Sequence, residues 1–425
     1  MLDYRFIKEN LDLVEENIKN RNVVADARKV AELYTQRNEI IQELDDLRQK
    51  RNDNAAKMKG KLEKEERDTY IAFGQKLKED ITVKEEVFNK LEKELAEETS
   101  KIPNITHPSV PAGFTEESNK ELRIVGKPTS FSFESKDHLQ LGTSLGIIDF
   151  ETAQKVTGQK WYYLKNEAAI LELALTRFAF DLLKEEGFDL VITPDVAREE
   201  ILEGIGFNPR GPESNIYRIE GEGTCLIGTS EITLGGAYAK SILEADELPK
   251  KLAGLSHCFR KEAGAAGQFS KGLYRVHQFT KVEMFIFCTP EESDSMHDYL
   301  LALEEKIFTR LEIPYRVVDV CAGDLGNPAY RKFDIEAWMP GRGESGGWGE
   351  VTSTSNCTDY QSRRLQIRYK KDGKNQLVHM LNGTAIAVSR AIIAILENFQ
   401  QEDGSIKIPS ALVPYTGFEK ITVRK

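Results

Sequence analysis

Apolar residues return every three, four or seven positions through the first quarter of the chain. Leu33, Ile40, Leu44 and Leu47 form one set, and Tyr70, Leu77, Ile81, Phe88, Leu91 and Leu95 form a second. That spacing lines each set along one stripe of a helix and predicts a seam between two helices. The intervening stretch, Met58 to Tyr70, is charged and out of phase, with Gly60 as its turn residue. The pattern therefore predicts a long antiparallel hairpin, whose arms of roughly 35 residues would each span about 50 Å. No proline occurs before Pro103, as long unbroken helices require. The stripes are narrow and their flanks polar, so the hairpin is too thin to bury a globular core.

Lys101 to Gly113 loses this period and holds Pro103, Pro108 and Pro111, which marks a boundary. We expect a helical hairpin domain over residues 1–102, a linker over 103–113 and a second domain over 114–425. In the second domain Gln159 to Leu164 reads as a short strand and Glu167 to Gly187 as a helix with a broad apolar face. Phe188 to Pro194 reads as a buried strand ended by its proline. That helix and strand could form a subunit contact or an internal core pair. Further strands are expected at Leu252 to Phe259, Tyr274 to Cys288, Tyr315 to Cys321, Phe333 to Met339, Gly349 to Ser355 and Arg364 to Tyr369. Leu377 to Met380 reads as a last strand and Gly383 to Phe399 as an apolar helix. Strands without regular helical crossovers predict an antiparallel sheet, so the fold class is α+β.

Composition narrows the function. A formal net charge of −11 argues against a general nucleic-acid binder. Yet from Arg48 to Lys64 seven cations (Arg48, Lys50, Arg51, Lys57, Lys59, Lys61 and Lys64) meet only two acids. They cluster where the hairpin arms join. This is either a solvated coiled-coil face or a set of phosphate contacts for a nucleic acid. The five cysteines are widely spaced with no CxxC pair, so neither a disulfide framework nor a four-cysteine zinc site is expected. The acidic, helical start is no secretory signal, and no apolar run approaches the ~18–20 residues of a membrane span. A reducing cytoplasm and no membrane are expected.

Four stretches carry candidate chemistry. Arg260 to Glu283 joins two polar runs through Gly264, Gly267 and Gly272. If its second run is a strand, Arg275, His277, Phe279, Lys281 and Glu283 share one face. Cations and a ring suit the phosphates and base of a nucleotide, while the alternative is a solvent-facing sheet. Arg260 and Glu262, at spacing two, would share a face of the preceding strand. Thr229-Ser230-Glu231 could bind an amine and a hydroxyl, or could cap a helix. Glu350-Val351-Thr352-Ser353 follows a glycine-rich run, and a carboxylate beside a hydroxyl could hold Mg²⁺ against phosphate oxygens. Leu381-Asn382-Gly383-Thr384 would place glycine at a strand-to-helix turn, open to a ligand. Arg390 interrupts an apolar helix and needs an anionic partner, either a structural carboxylate or a phosphate. No P-loop and no dinucleotide glycine fingerprint is present.

Taken together, these residues resemble the bacterial-type seryl-tRNA synthetases, a family of class II aminoacyl-tRNA synthetases. The likeness runs from MLDYRFIKEN through the helical arm to LNGTAIAVSRAIIAILENFQ. The helix and strand ending at Pro194 resemble class II motif 1. FRKE with GLYRVHQFTKVE resembles motif 2, and LNGTAIAVSR resembles motif 3. The resemblance implies an antiparallel-sheet catalytic domain with an N-terminal coiled-coil arm that binds tRNA. It implies ATP-dependent ligation of L-serine to tRNA(Ser), and to tRNA(Sec) where such a tRNA exists. A homodimer and Mg²⁺ bound with ATP, without protein-bound zinc, are implied too.

Roles follow by matching position. Thr229, Ser230, Glu231, Glu283, Asn382 and Thr384 fall where the family holds serine. Arg260 bridges the serine carboxylate and the α-phosphate, beside Lys261. Glu262 meets the adenine and Phe279 stacks on it, with Val276 adding backbone contacts. Arg275 and Arg390 meet the outer phosphates and the back of the base. Glu350 and Ser353, flanking Val351 and Thr352, hold the metal and phosphates. Arg260, Glu283 and Arg390 are the expected catalytic residues. Ser230 stands where alanine is usual, Thr352 and Thr384 where serine is more frequent, and Trp348 where tyrosine is usual. Ala265, Gln268 and Phe269 depart from the commoner loop sequence. His277 and Lys281 match no role.

Overall fold

The computed structural model describes residues 1–60, 62–208, 215–262 and 271–423. They divide into two compact units, Met1–Ile105 and Thr106–Lys425. The proline-rich stretch is shared between them. Asn104 O accepts from Asn17 Nδ2 at 3.0 Å within the first unit. His107 N donates to Tyr330 O at 2.9 Å within the second.

The first unit opens with α1 (Tyr4–Glu9) and α2 (Leu11–Asn20), followed by the two long helices α3 (Ala27–Lys57) and α4 (Lys64–Lys101). Asp26 caps α3 by accepting from Lys29 N at 2.9 Å. The long helices run antiparallel around buried Leu33, Leu44, Leu77, Ile81, Leu91 and Leu95. Ion pairs fasten the seam from outside, Lys29 with Glu98 at 3.0 Å, Arg37 with Glu92, and Arg48 with Glu85 at 2.9 Å. The connection is shorter than the charged run Met58 to Tyr70 suggested, because α4 begins at Lys64. Its first turns have no apolar stripe, but Lys, Glu and Arg are good helix formers and Glu65 and Glu66 favour a helix start.

The second unit is built on an eight-stranded sheet. In chain order its main elements are β1 (Lys120–Val125), α5 (His138–Ser144), α6 (Glu167–Glu185), β2 (Asp189–Ile192), α7 (Glu231–Gly236), β3 (Lys250–Phe259) and β4 (Gln278–Cys288). Then come α8 (Ser293–Arg310), β5 (Tyr315–Asp319), β6 (Arg331–Met339), β7 (Gly347–Asn356), α9 (Tyr360–Leu365), β8 (His379–Ala387) and α10 (Val388–Asn398). The spatial order is β1-β5-β6-β7-β8-β4-β3-β2. Every pairing is antiparallel except β2 with β3, which is parallel. Helices α6, α8 and α10 cover one face, where Val282, Met284, Ile335, Ile386, Leu300, Ile307 and Ile392 share a core. A second core, with Phe285, Phe287, Leu252 and Leu234, covers part of the other face. The rest of that face is left to polar side chains.

Several expected bounds move. The strand of β4 begins at Gln278 rather than Tyr274, so Arg275 and His277 precede it. Strand β3 ends at Phe259, so Arg260 and Glu262 lie in the following loop, with Glu262 at φ +49°. Arg364 to Tyr369 is not one strand: α9 ends at Leu365, and Arg368–Lys371 pairs in a separate three-stranded sheet. LNGTAIA is strand β8, not helix, because it hydrogen-bonds to β4 and β7 on its two sides. Gly383 is therefore mid-strand. Strand β2 is exposed rather than buried within the chain.

Candidate active site

Along β4 the alternation that buries Val282 and Met284 among helices turns Phe279, Lys281 and Glu283 to the opposite face. There a cleft of about 320 Å³ opens. Strands β6, β7 and β8 form its floor, supplying Lys332, Glu350, Ser353, Asn382 and Thr384. Arg260, Glu262, Arg275 and Arg390 enter from loops and from α10.

One end of the cleft is a buried carboxylate pocket. Glu231 Oε1 accepts from Gln361 Nε2 at 2.6 Å and from Asn382 Nδ2 at 3.0 Å. Burial and the charge of Glu283 push the Glu231 carboxyl up to about 7, against the opposing Gln361 hydrogen bond and the charges of Lys281 and Arg260. Lys281 Nζ pairs with Glu283 Oε2. The same oxygen accepts from Thr384 Oγ1 at 3.1 Å. Amide, hydroxyl and carboxylate groups thus converge on a space of amino-acid size.

The other end is cationic. The Arg260 guanidinium lies 5.3 Å from the centre of the Phe279 ring. Its backbone N donates to His277 O at 3.0 Å, and His277 Nδ1 donates to Arg260 O at 2.8 Å. Arg275 Nη1 pairs with Glu262 Oε2 at 3.3 Å. Arg390 Nη1 donates to Glu350 Oε1 at 2.9 Å and Glu350 O at 3.0 Å. The Arg390 guanidinium also lies 4.8 Å from the Tyr274 ring centre. Burial alone would raise the Glu350 carboxyl, but the charges of Arg390 and Lys332 hold it well below the usual carboxylate range. Three guanidiniums therefore face a cleft that also holds an ionised carboxylate.

The chain as a whole has known relatives. The serine–tRNA ligase of Treponema denticola is 60% identical over 99% of this chain and 100% of its own length. The chain belongs to the seryl-tRNA synthetase family. The ligase of Borrelia recurrentis is 58% identical over 99% of both chains. A model of the seryl-tRNA synthetase N-terminal domain matches residues 1–106, and one of the class II core domain (G, H, P, S and T) matches residues 217–399. Two solved structures share the whole fold. Seryl-tRNA synthetase from Pyrococcus horikoshii complexed with ATP has a TM-score of 0.91 at 42% identity, each chain covered completely. The cytoplasmic enzyme from Naegleria fowleri in complex with AMP has a TM-score of 0.87 at 32% identity, covering 100% of this chain and 99% of its own.

Of the residues nominated for serine, ATP and metal, all but Ser230 and Lys261 line the cleft. Ser230 is buried at the start of α7, where its Oγ donates to Gly254 O at 3.2 Å and makes no cap. Lys261 lies over the Tyr217 ring, 5.9 Å from its centre. Val276 lines the cleft although it is nearly fully buried. Gly264, Ala265, Gly267, Gln268 and Phe269 fall outside the described residues, as does Lys61. Arg48, Lys50, Arg51, Lys57, Lys59 and Lys64 are exposed on the first unit.

Among the residues not nominated, Lys281, Lys332 and Tyr274 line the cleft, and Gln361 donates to Glu231 from outside its lining. Lys281 is two positions from Glu283 on one strand face, a pairing legible from alternation alone. Lys332 pairs with Asp334 at 3.0 Å. Tyr274 donates to Glu350 O at 3.2 Å. Gln361 is 130 residues from Glu231, and nothing local signals it.

Proposed function

We propose that the chain activates L-serine with ATP as seryl-adenylate and passes the seryl group to tRNA(Ser). The observation that carries this reading is the polarity of the cleft. Buried Glu231 and Glu283, with Asn382 and Thr384, form one end, and Arg260, Arg275 and Arg390 form the other. The first end suits an ammonium and a hydroxyl; the second suits a carboxylate and a polyphosphate.

In the first step the serine carboxylate attacks the α-phosphorus and pyrophosphate leaves. The nucleophile is already ionised at neutral pH, so no general base is needed. Arg260 neutralises the carboxylate and α-phosphate as they approach. Arg275 and Arg390 hold the outer phosphates and the back of the base, and Phe279 packs on the base. Catalysis is then positioning and charge neutralisation. In the second step a terminal ribose hydroxyl of the tRNA attacks the acyl carbonyl and AMP leaves. Thr384 and Asn382 select the serine hydroxyl, because alanine would leave their polar groups unpaired. The ionised Glu350 carboxylate and the Ser353 hydroxyl are hard oxygen donors that suit Mg²⁺. They would hold it against the ATP phosphates, where it would neutralise the leaving pyrophosphate.

The exposed cations where α3 and α4 meet support tRNA phosphate contacts by this arm. We extend the reading to tRNA(Sec) where it exists and to a cytoplasmic homodimer. Exposed Leu173 and Ile192, 71% and 77% accessible in the single chain, support a subunit contact through α6 and β2. Among the described residues no helix is long and apolar enough to cross a membrane. Serine-dependent ATP–pyrophosphate exchange tests the assignment. Folded protein that exchanges with no dependence on serine would sink it.

A further inference from the structure

Helix α8 lies behind the cleft floor and presents a polar stripe to it. Ser293, His297 and Glu304 follow one another at helical spacing. Ser293 Oγ donates to Asn356 Oδ1 at 3.0 Å, and His297 Nε2 donates to Thr354 O at 3.1 Å. Glu304 is 0% exposed, and neither of its carboxyl oxygens has a partner in good hydrogen-bond geometry, although the Thr352 hydroxyl is near enough to act on its charge. A β-carbon at Gly383 would lie 3.1 Å from Glu304 Oε1 and 3.1 Å from Thr354 Oγ1. The glycine therefore leaves room for a carboxyl from behind, rather than for a ligand from in front.

Two threonines of β7 face the same space. Thr352 Oγ1 donates to Thr384 O, and Thr354 Oγ1 donates to Asn382 O at 2.9 Å. Asn382 and Thr384 are the two β8 residues whose side chains enter the amino-acid end of the cleft. We propose that Glu304 is a positioning residue for that end: its carboxyl braces the threonine pair that grips the carbonyls of Asn382 and Thr384.

An isolated carboxylate at such a place is costly, so the group keeps its proton. Burial raises its pKa well above the ordinary value; Glu283 and Asp334 add to this, while the Thr352 hydroxyl opposes it. The protonated carboxyl has one O–H to donate. The threonine oxygens it faces have committed their own protons to β8 and retain lone pairs. Closing that link would fix β7 against β8 at the two residues that read the substrate.

The proposal rests on the serine reading, and the test separates the two. ATP–pyrophosphate exchange is measured on the full chain, with serine and ATP varied separately, for wild type, Glu304→Leu and Glu304→Gln. Leucine fills the volume without a donor, while glutamine retains an N–H. Glu304→Leu is expected to raise the KM for serine on the order of tenfold, leaving that for ATP within about twofold. Glu304→Gln is expected to restore the serine KM to within about threefold of wild type. An unchanged serine KM in the leucine variant overturns the proposal. So does a joint rise for serine and ATP, or a glutamine variant as impaired as leucine. Should Glu304→Leu fail to fold, Thr354→Val carries the same comparison, and an unchanged serine KM there overturns it equally. Wild type lacking serine-dependent exchange would overturn the serine reading and this proposal with it.

Discussion

Replacing Glu231 by Gln is expected to stabilise the protein at alkaline pH while removing its use of serine. Glu231 is 8% exposed, and burial with the neighbouring Glu283 charge lifts its pKa from 4.5 to about 7. A carboxyl whose pKa rises on folding contributes stability that is complete below its unfolded value. That contribution is lost as pH rises through the folded value. The window therefore runs from about pH 4.5 to above 7. At ~1.4 kcal/mol per pKa unit, the full cost of ionisation is about 3 kcal/mol. Glutamine carries no such cost, and its carbonyl can still accept from Gln361 and Asn382. Unfolding entropy of ~2 cal/mol/K per residue, over a unit of roughly 320 residues, converts this to about 4–5 °C. All three tryptophans, Trp161, Trp338 and Trp348, lie in the second unit, so their fluorescence follows its melting separately from the arm. The two proteins should melt together near pH 4.5 and diverge as pH rises, with the variant higher. A difference independent of pH, or a variant less stable at pH 8, would refute the reasoning. In wild type the ionised form is the one that binds an ammonium, so the KM for serine should fall as pH rises through about 7.

The buried pair of Lys281 and Glu283, 6% and 2% exposed, makes Lys281→Met costly, at about 3–5 kcal/mol, because it strands a carboxylate. Adding Glu283→Gln should recover part of that loss in a thermal double-mutant cycle, and no recovery would count against the coupling. Glu350→Gln should slow pyrophosphate exchange on the order of a hundredfold or more, weakening its dependence on Mg²⁺; an unaltered Mg²⁺ titration would remove Glu350 from the metal role. Deleting Val30 to Glu97 should abolish tRNA charging while exchange persists, and retained charging would refute the arm's role.

The helical hairpin was legible because its stripes repeat locally, through Leu33 to Leu47 and Leu77 to Leu95. Its turn was overdrawn because Lys64 to Tyr70 forms a helix without a stripe. The strand face of Phe279, Lys281 and Glu283 was legible from alternation. LNGTAIA was not, since a short apolar run with small residues suits a helix as well as a strand. Pairing with β4 and β7 decides it.

The order of the charged residues, the hairpin and the motifs that mark the family were determined by the sequence alone, through local period and spacing. Which charges meet was decided only by tertiary structure. Arg390 finds Glu350 from 40 residues away, and Gln361 finds Glu231 from 130. Arg390 needed an anion in either reading; the fold supplies one within the cleft itself. Gly383 changed its meaning in the same way, from an opening toward a ligand to the space occupied by Glu304. A side chain's chemistry is local, but its pKa and its partners depend on what burial brings beside it.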